Sequence, residues 1–132
     1  MMTSPSREHD SSERGSGTVL ALGLVFVLLI FFVVIAGVIT AISAQHKAMA
    51  AADLSALAAA DTARGLREGE PCTVAAEIAR VNHAELKGCA QPEGYSGIVD
   101  VRTTVPIGGP FTWLGSAEGL SRAGPPGETG PR

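Results

Sequence analysis

The polar and apolar positions of this chain divide it sharply. Residues 15–45 carry no formal charge, and residues 19–35 are apolar on every side of a helix. No polar stripe is left to face water or line a pore. Crossing a bilayer takes about 20 apolar residues. As a helix, residues 18–43 would cover about 39 Å against a hydrocarbon core of about 30 Å, enough to cross with tilt. The pattern predicts a transmembrane helix. A buried core helix of this kind would need more surrounding sequence than the chain holds. A secretory signal is the other rival, and Ala48-Met49-Ala50 fits its small-x-small cleavage pattern. Such signals have apolar cores of only about 7 to 15 residues.

The helical pattern continues past the span. Residues 38–64 contain neither Gly nor Pro, and Ala44, Ala48, Ala52, Ala56 and Ala60 recur every fourth residue with Ser55, Ala59 and Ala63 beside them. The helix is expected to run to Leu66 and to stop at Gly65, Gly69 and Pro71. Small side chains let another helix approach closely, so the stripe reads as the packing face of a rod, with Leu54 and Leu57 as an apolar ridge. Alanine's helix propensity alone would also produce it. Asp61 with Arg64, and Arg64 with Glu68, are spaced as solvated pairs worth a few tenths of a kcal/mol.

Beyond the rod the period changes. After Pro71-Cys72-Thr73, Val74, Ile78 and Val81 define one face of a short amphipathic helix, widened by Ala75 and Ala79, with Thr73 as its N-cap. A helix unbroken to Lys87 would hold Cys72 and Cys89 about 22 Å apart, whereas a disulfide needs Cα atoms within about 7 Å. Ending it at Asn82, in a left-handed cap, lets an extended return over residues 83–89 close the distance. Disulfide, free thiols and metal ligation are the three readings of the cysteines, and the disulfide is favoured. Gln91-Pro92-Glu93-Gly94 is a turn, and Val99, Val101, Thr103 and Val105 alternate with polar residues as a half-buried strand. A hairpin is expected to carry the short helix. Phe111, Trp113 and Leu114 are read as packing on it rather than touching a partner, before a Gly- and Pro-rich disordered tail.

Charge and candidate chemistry narrow the function. The net charge is −3 and the 10 Lys and Arg are scattered, so nucleic acid is not an expected partner. Arg7 and Arg14 before the span balance Lys47 and Arg64 after it, so orientation rests on the cysteines, which place the C-terminal side outside the cytoplasm. No phosphate loop, nucleophile elbow or His-Glu metal motif occurs. His9, His46 and His83 lie in different segments, His46 at the membrane interface, and Cys72, His83 and Cys89 lack the spacing and fourth ligand of a zinc site. No catalytic, cofactor-binding or metal-binding residue is expected, and the chain is not read as an enzyme. Residues 1–14 read as a targeting segment or an inert tail. In Arg14-Gly15-Ser16-Gly17-Thr18 a charge and flexible residues precede the apolar run, an extended, accessible backbone of the kind a membrane protease binds.

Taken together, the leader ending in Arg14-Gly15-Ser16, the span, Gln45-His46-Lys47-Ala48 and the run from Ala51 and Ala52 through Asp53-Leu54-Ser55 to Ala60 resemble the TadE-like pseudopilins. More narrowly they are similar to the short actinobacterial TadE-like proteins encoded with Tad (Flp pilus) secretion genes. Cys72, Ile78-Ala79-Arg80-Val81-Asn82, Leu86, Cys89, the valine strand and Ser121-Arg122-Ala123-Gly124-Pro125 are similar to that group's C-terminal part. The resemblance implies a minor pilin or pseudopilin of a type IV-like assembly, with other pilin subunits, inner-membrane pilus assembly proteins and a prepilin peptidase as partners, the last acting between Gly15 and Ser16. Type IV pilins usually carry a Glu five residues after the processing Gly; here that position is Leu20.

The expected fold is a mainly α membrane protein: one long N-terminal transmembrane helix extending outside the bilayer, then a small α+β head of short helix and β-hairpin with a disulfide. The expected divisions are a cytoplasmic leader (1–15), the span (16–44), its alanine-rich extension (45–67), the extracytoplasmic head (71–114) and a disordered tail (115–132). The expected place is the cytoplasmic membrane, single-pass, N-terminus inside, with the cell surface reached if the chain enters a filament. The expected function is a structural or assembly component of a Tad-type pilus or secretion system. The competing expectation is a single-span protein whose external domain binds or senses independently of any filament.

Overall fold

The structure, a computed structural model, describes residues 12–127. Its elements are helix α1 (Ser12–Ala63), helix α2 (Pro71–Val81), strand β1 (Glu85–Ala90), strand β2 (Val99–Pro106), a 3-10 turn (Gly109–Leu114) and strand β3 (Ser116–Ala123). Two compact units divide the chain at Ala36 and Gly37. In the first, the helix holds its apolar side chains out on all sides, every one from Val19 to Ile35 exposed. The helix is long and apolar enough to cross a membrane.

In the second unit the rest of α1 is the floor of the head. It ends in a Schellman motif: Leu66 donates to the Asp61 carbonyl at 2.9 Å and Gly65 to that of Thr62 at 3.0 Å, with Gly65 at φ +76°. The cap of helix α2 lies three residues earlier than the sequence places it. Glu70, not Thr73, is the N-cap, its carboxylate accepting from the backbone N–H groups of Cys72 (3.2 Å) and Thr73 (2.7 Å) and from the Thr73 hydroxyl (2.9 Å). Pro71 at the first helical position explains the shift, since its fixed φ suits that site and leaves Thr73 inside the first turn. At the other end Asn82 caps with φ −90°, and the left-handed residue is His83 at φ 57°. Ala84 donates to the Ala79 carbonyl and His83 to that of Arg80, a second Schellman closure. The packed face is Val74, Ala75 and Ala79; Val81, expected on it, points outward.

The sheet has three antiparallel strands in the order β1-β2-β3, where a two-strand hairpin was expected. β3 pairs with β2 along its whole length, from Val99 opposite Ala123 to Pro106 opposite Ser116. It forms from residues read as disordered tail; 128–132 lie outside the described residues, as do leader residues 1–11. β2 buries Val99, Val101, Thr103 and Val105 in strict alternation. Disulfide Cys72–Cys89 joins the start of α2 to β1, with Cα atoms 5.7 Å apart, so helix followed by returning strand is the arrangement formed.

Candidate functional site

The most distinctive surface in the head is the seam between α1 and the sheet. Ala44, Ala48, Ala52, Ala56 and Ala60 are all buried within the single chain, and so are Gly37, Ala51, Ser55 and Ala59. The packing partners that cover this stripe are the chain's own sheet and, through Ala75 and Ala79, helix α2, where a helix of another subunit was expected. Small side chains admit a β-sheet as readily as another helix, because either gains dispersion contact as backbones approach. Leu54 and Leu57, on the far side of α1, stay exposed.

Backbone atoms nearly touch across the seam. A Cβ built on Gly119 of β3 would lie 2.1 Å from the Ala48 carbonyl oxygen and 2.8 Å from the Met49 nitrogen, so only glycine fits at that crossing. Two side chains lock the register there. The Thr103 hydroxyl, fully buried, donates to the Ala48 carbonyl at 2.8 Å, and Gln45 Nε2 donates to the Glu118 carbonyl at 2.6 Å. A second close approach is at Gly37, where a Cβ would lie 3.2 Å from the Phe111 ring. Gly37, Thr103 and Gly119 were not singled out from sequence as close-approach residues; a glycine opposite an alanine-rich helix face is the signal that marks such a point.

The outer face of the sheet is open and polar. Arg122 makes a two-pronged contact to Asp100, Nε to Oδ1 at 2.5 Å and Nη2 to Oδ2 at 2.8 Å. The pair flanks a shallow depression of about 540 Å³, lined also by Arg102, Leu120 and Gly88. Charges of both signs around one exposed leucine suit a protein contact better than a reaction. Among the described residues no cluster of three His, Cys, Asp or Glu is placed to hold a metal. His46 is on α1, His83 is in the turn between α2 and β1, and His9 lies outside the described residues.

Gly15 and Ser16 are exposed and helical, in the first turns of α1, where an extended backbone was expected. No proline stands between Ser12 and Thr18, so the helix propagates back from the apolar run across both glycines, each costing about 1 kcal/mol relative to alanine.

Two carboxylates stand below the usual carboxylate range. Backbone hydrogen bonds from Thr73 and then Cys72 hold Glu70 down, and the hydrogen bond from Arg122 holds Asp100 down. Since both are lowered in the fold, the stability they contribute is complete above the ordinary carboxylate range and lost as pH falls through their lowered values. The unfolding midpoint of the head is therefore expected to drop on acidification below that range. Titrating Glu70→Gln beside the parent checks it: the variant is less stable near neutrality and its acid limb is shallower.

No curated protein and no solved structure matches the chain. A family model does match, over residues 15–62, ending one residue before α1 ends. The matched family is described as putative Flp pilus-assembly TadE/G-like, and it is in its long helix that this chain carries the TadE/G-like family pattern.

Proposed function

We propose that the chain is a membrane-anchored structural or assembly component of a Tad-type, type IV-like pilus or secretion apparatus, of the minor pilin or pseudopilin kind. The observation that carries this reading is a coincidence of position: the TadE/G-like match at 15–62 takes in the stretch 19–35, where the helix exposes apolar side chains on every side. Such a surface is stable in lipid or against other apolar helices and unstable in water. In this reading the helix crosses the cytoplasmic membrane once, the leader lies inside, and the head lies outside, where its disulfide persists. The partners are other pilin or pseudopilin subunits, inner-membrane assembly proteins and a prepilin peptidase; the role is not enzymatic.

With the Ala44 to Ala60 stripe under the sheet, contacts to neighbouring subunits fall to the exposed apolar part of α1, to Leu54 and Leu57, and to the outer face of the sheet. Enlarging Ala52 or Ala56 would damage the head whether or not a filament forms, so it does not separate a filament subunit from a lone sensor. Processing between Gly15 and Ser16 requires the first turn of α1 to open, which two glycines within three residues make easy.

The test is recovery of the chain from native cells. Co-purification with pilus components, dependent on the pilus genes, is expected in the membrane or in sheared surface filaments. A chain indifferent to those genes would overturn the reading in favour of an independent binding or sensing domain. Intact mass then separates the roles: an amino terminus at Ser16 marks a processed subunit, and one at Met1 or Met2 a permanently anchored assembly component.

A further inference from the structure

The turn between β2 and β3 gathers apolar side chains on the surface of the head. Residues 103–117 carry no formal charge. Within them Trp113 is 77% exposed and Leu114 42% exposed, while Phe111 is half-buried. Phe111 fixes the turn in place: its ring lies against the bare backbone of Gly37 and packs with Ala41 on the cluster containing Ala44, Val105 and Ile107. Trp113 is two residues further on, so its Cα is within about 7 Å of that of Phe111. On the helix beside Gly37, the apolar Val38, Ile39 and Ile42 are exposed as well.

The place of this patch along the helix identifies what covers it. About 20 residues cross the hydrocarbon core, and counted from Val19 they end at Val38, beside the residue on which Phe111 rests. The next formal charge is Lys47. The head therefore begins where the hydrocarbon ends, and the one tryptophan of the chain stands at that level. Tryptophan concentrates in this layer of membrane proteins, its ring against the upper acyl chains and its N–H among the headgroups. Exposed to water, Trp113 and Leu114 would be an unfavourable pair of neighbours; at a lipid surface they bury area that none of the described residues covers.

We propose that the Gly109–Leu114 turn docks into the headgroup layer of the bilayer, with Trp113 and Leu114 as the inserting residues, giving the head a second hold on the membrane besides the helix. This rests on the membrane-anchored reading above. Its consequence is orientational: a helix alone leaves a head free to tilt and spin, and an inserted turn beside the helix fixes which face of the sheet is offered outward.

The test uses the full chain, one copy per lipid nanodisc bounded by a tryptophan-free scaffold. Emission reports Trp113 alone, because the sequence holds no other tryptophan. Lipids brominated high on the acyl chain are expected to quench it more than lipids brominated near the chain end, and acrylamide in the water to quench it weakly. Leu114→Asp is expected to reduce the bromine quenching while leaving incorporation unchanged. If the chain enters discs but Trp113 is open to acrylamide and indifferent to bromine, the docking is wrong and the anchor stands. Shielding from both quenchers means that protein covers the tryptophan, which also overturns the docking. A chain that does not enter discs overturns the docking and the anchored reading together.

Discussion

Gly119→Ala is expected to open the head by roughly a hundredfold. The added Cβ would sit 2.1 Å from the Ala48 carbonyl oxygen and 2.4 Å from its carbon, both backbone atoms of a helix that has no rotamer to change. The strand must lift by roughly 1 Å to reach ordinary contact, and everything paired through it lifts too. Ala117 leaves the Ala48 and Val105 cluster, and the 2.8 Å bond from the Thr103 hydroxyl to the Ala48 carbonyl lengthens. Overpacking of this kind costs about 3 kcal/mol, and at 1.4 kcal/mol per tenfold that is about a hundredfold in the open population. Trypsin reads it in the full chain in micelles: cleavage after Arg102 and Arg122, inside β2 and β3, needs the strands to part. Gly88→Ala is the control on the same sheet, since its Cβ would meet the Arg102 Cβ at an unstrained 3.4 Å; it is expected to stay within about 0.5 kcal/mol of the parent. Equal protection of Gly119→Ala and parent would show that the seam is looser than its distances.

That seam also marks where sequence reading reaches its limit. The uncharged run, the alanine stripe, the helix followed by a returning strand, the disulfide and the valine strand were legible because each leaves a period or a spacing. β3 was not, because Ser116–Ala123 has no β-branched residue and one large apolar side chain, Leu120, which faces out. Its inner face is Ala117 and Gly119, selected for smallness against α1, and smallness reads in sequence as a loop. The same physics misdirected the stripe. Alanines every fourth residue report that something approaches closely, and they are silent on whether it is another subunit or a sheet some 50 residues further along the same chain. The cap of α2 was missed for a different reason: glutamate ranks low as an N-cap, and its longer side chain serves here because Pro71 leaves Cys72 and Thr73 as the donors to satisfy.

Removing the disulfide is expected to loosen α2 far more than the rest of the head. The bridge spans 17 positions, and closing a loop of that size removes about 3 kcal/mol of chain entropy from the open state. Little else holds α2 down. It buries Val74, Ala75 and Ala79, and the largest fully buried side chains of the whole head are Val99, Thr103 and Ser55. One valine and two alanines gain only a few kcal/mol on burial, against about 1 to 2 kcal/mol per residue for ordering the backbone of an 11-residue helix. The covalent link at its first turn makes that ordering affordable, since one end of α2 is already beside β1 before the helix docks. In the double variant Cys72→Ser, Cys89→Ser, trypsin cleavage after Arg80 is expected to rise about a hundredfold, and cleavage after Arg102 by much less, because β2 stays paired on both sides and pressed on α1. Reducing the parent should reproduce the pattern. Equal acceleration at both sites would mean that α2 and the sheet open together, so that the disulfide holds the whole head rather than one helix; no acceleration at either would mean that packing alone suffices.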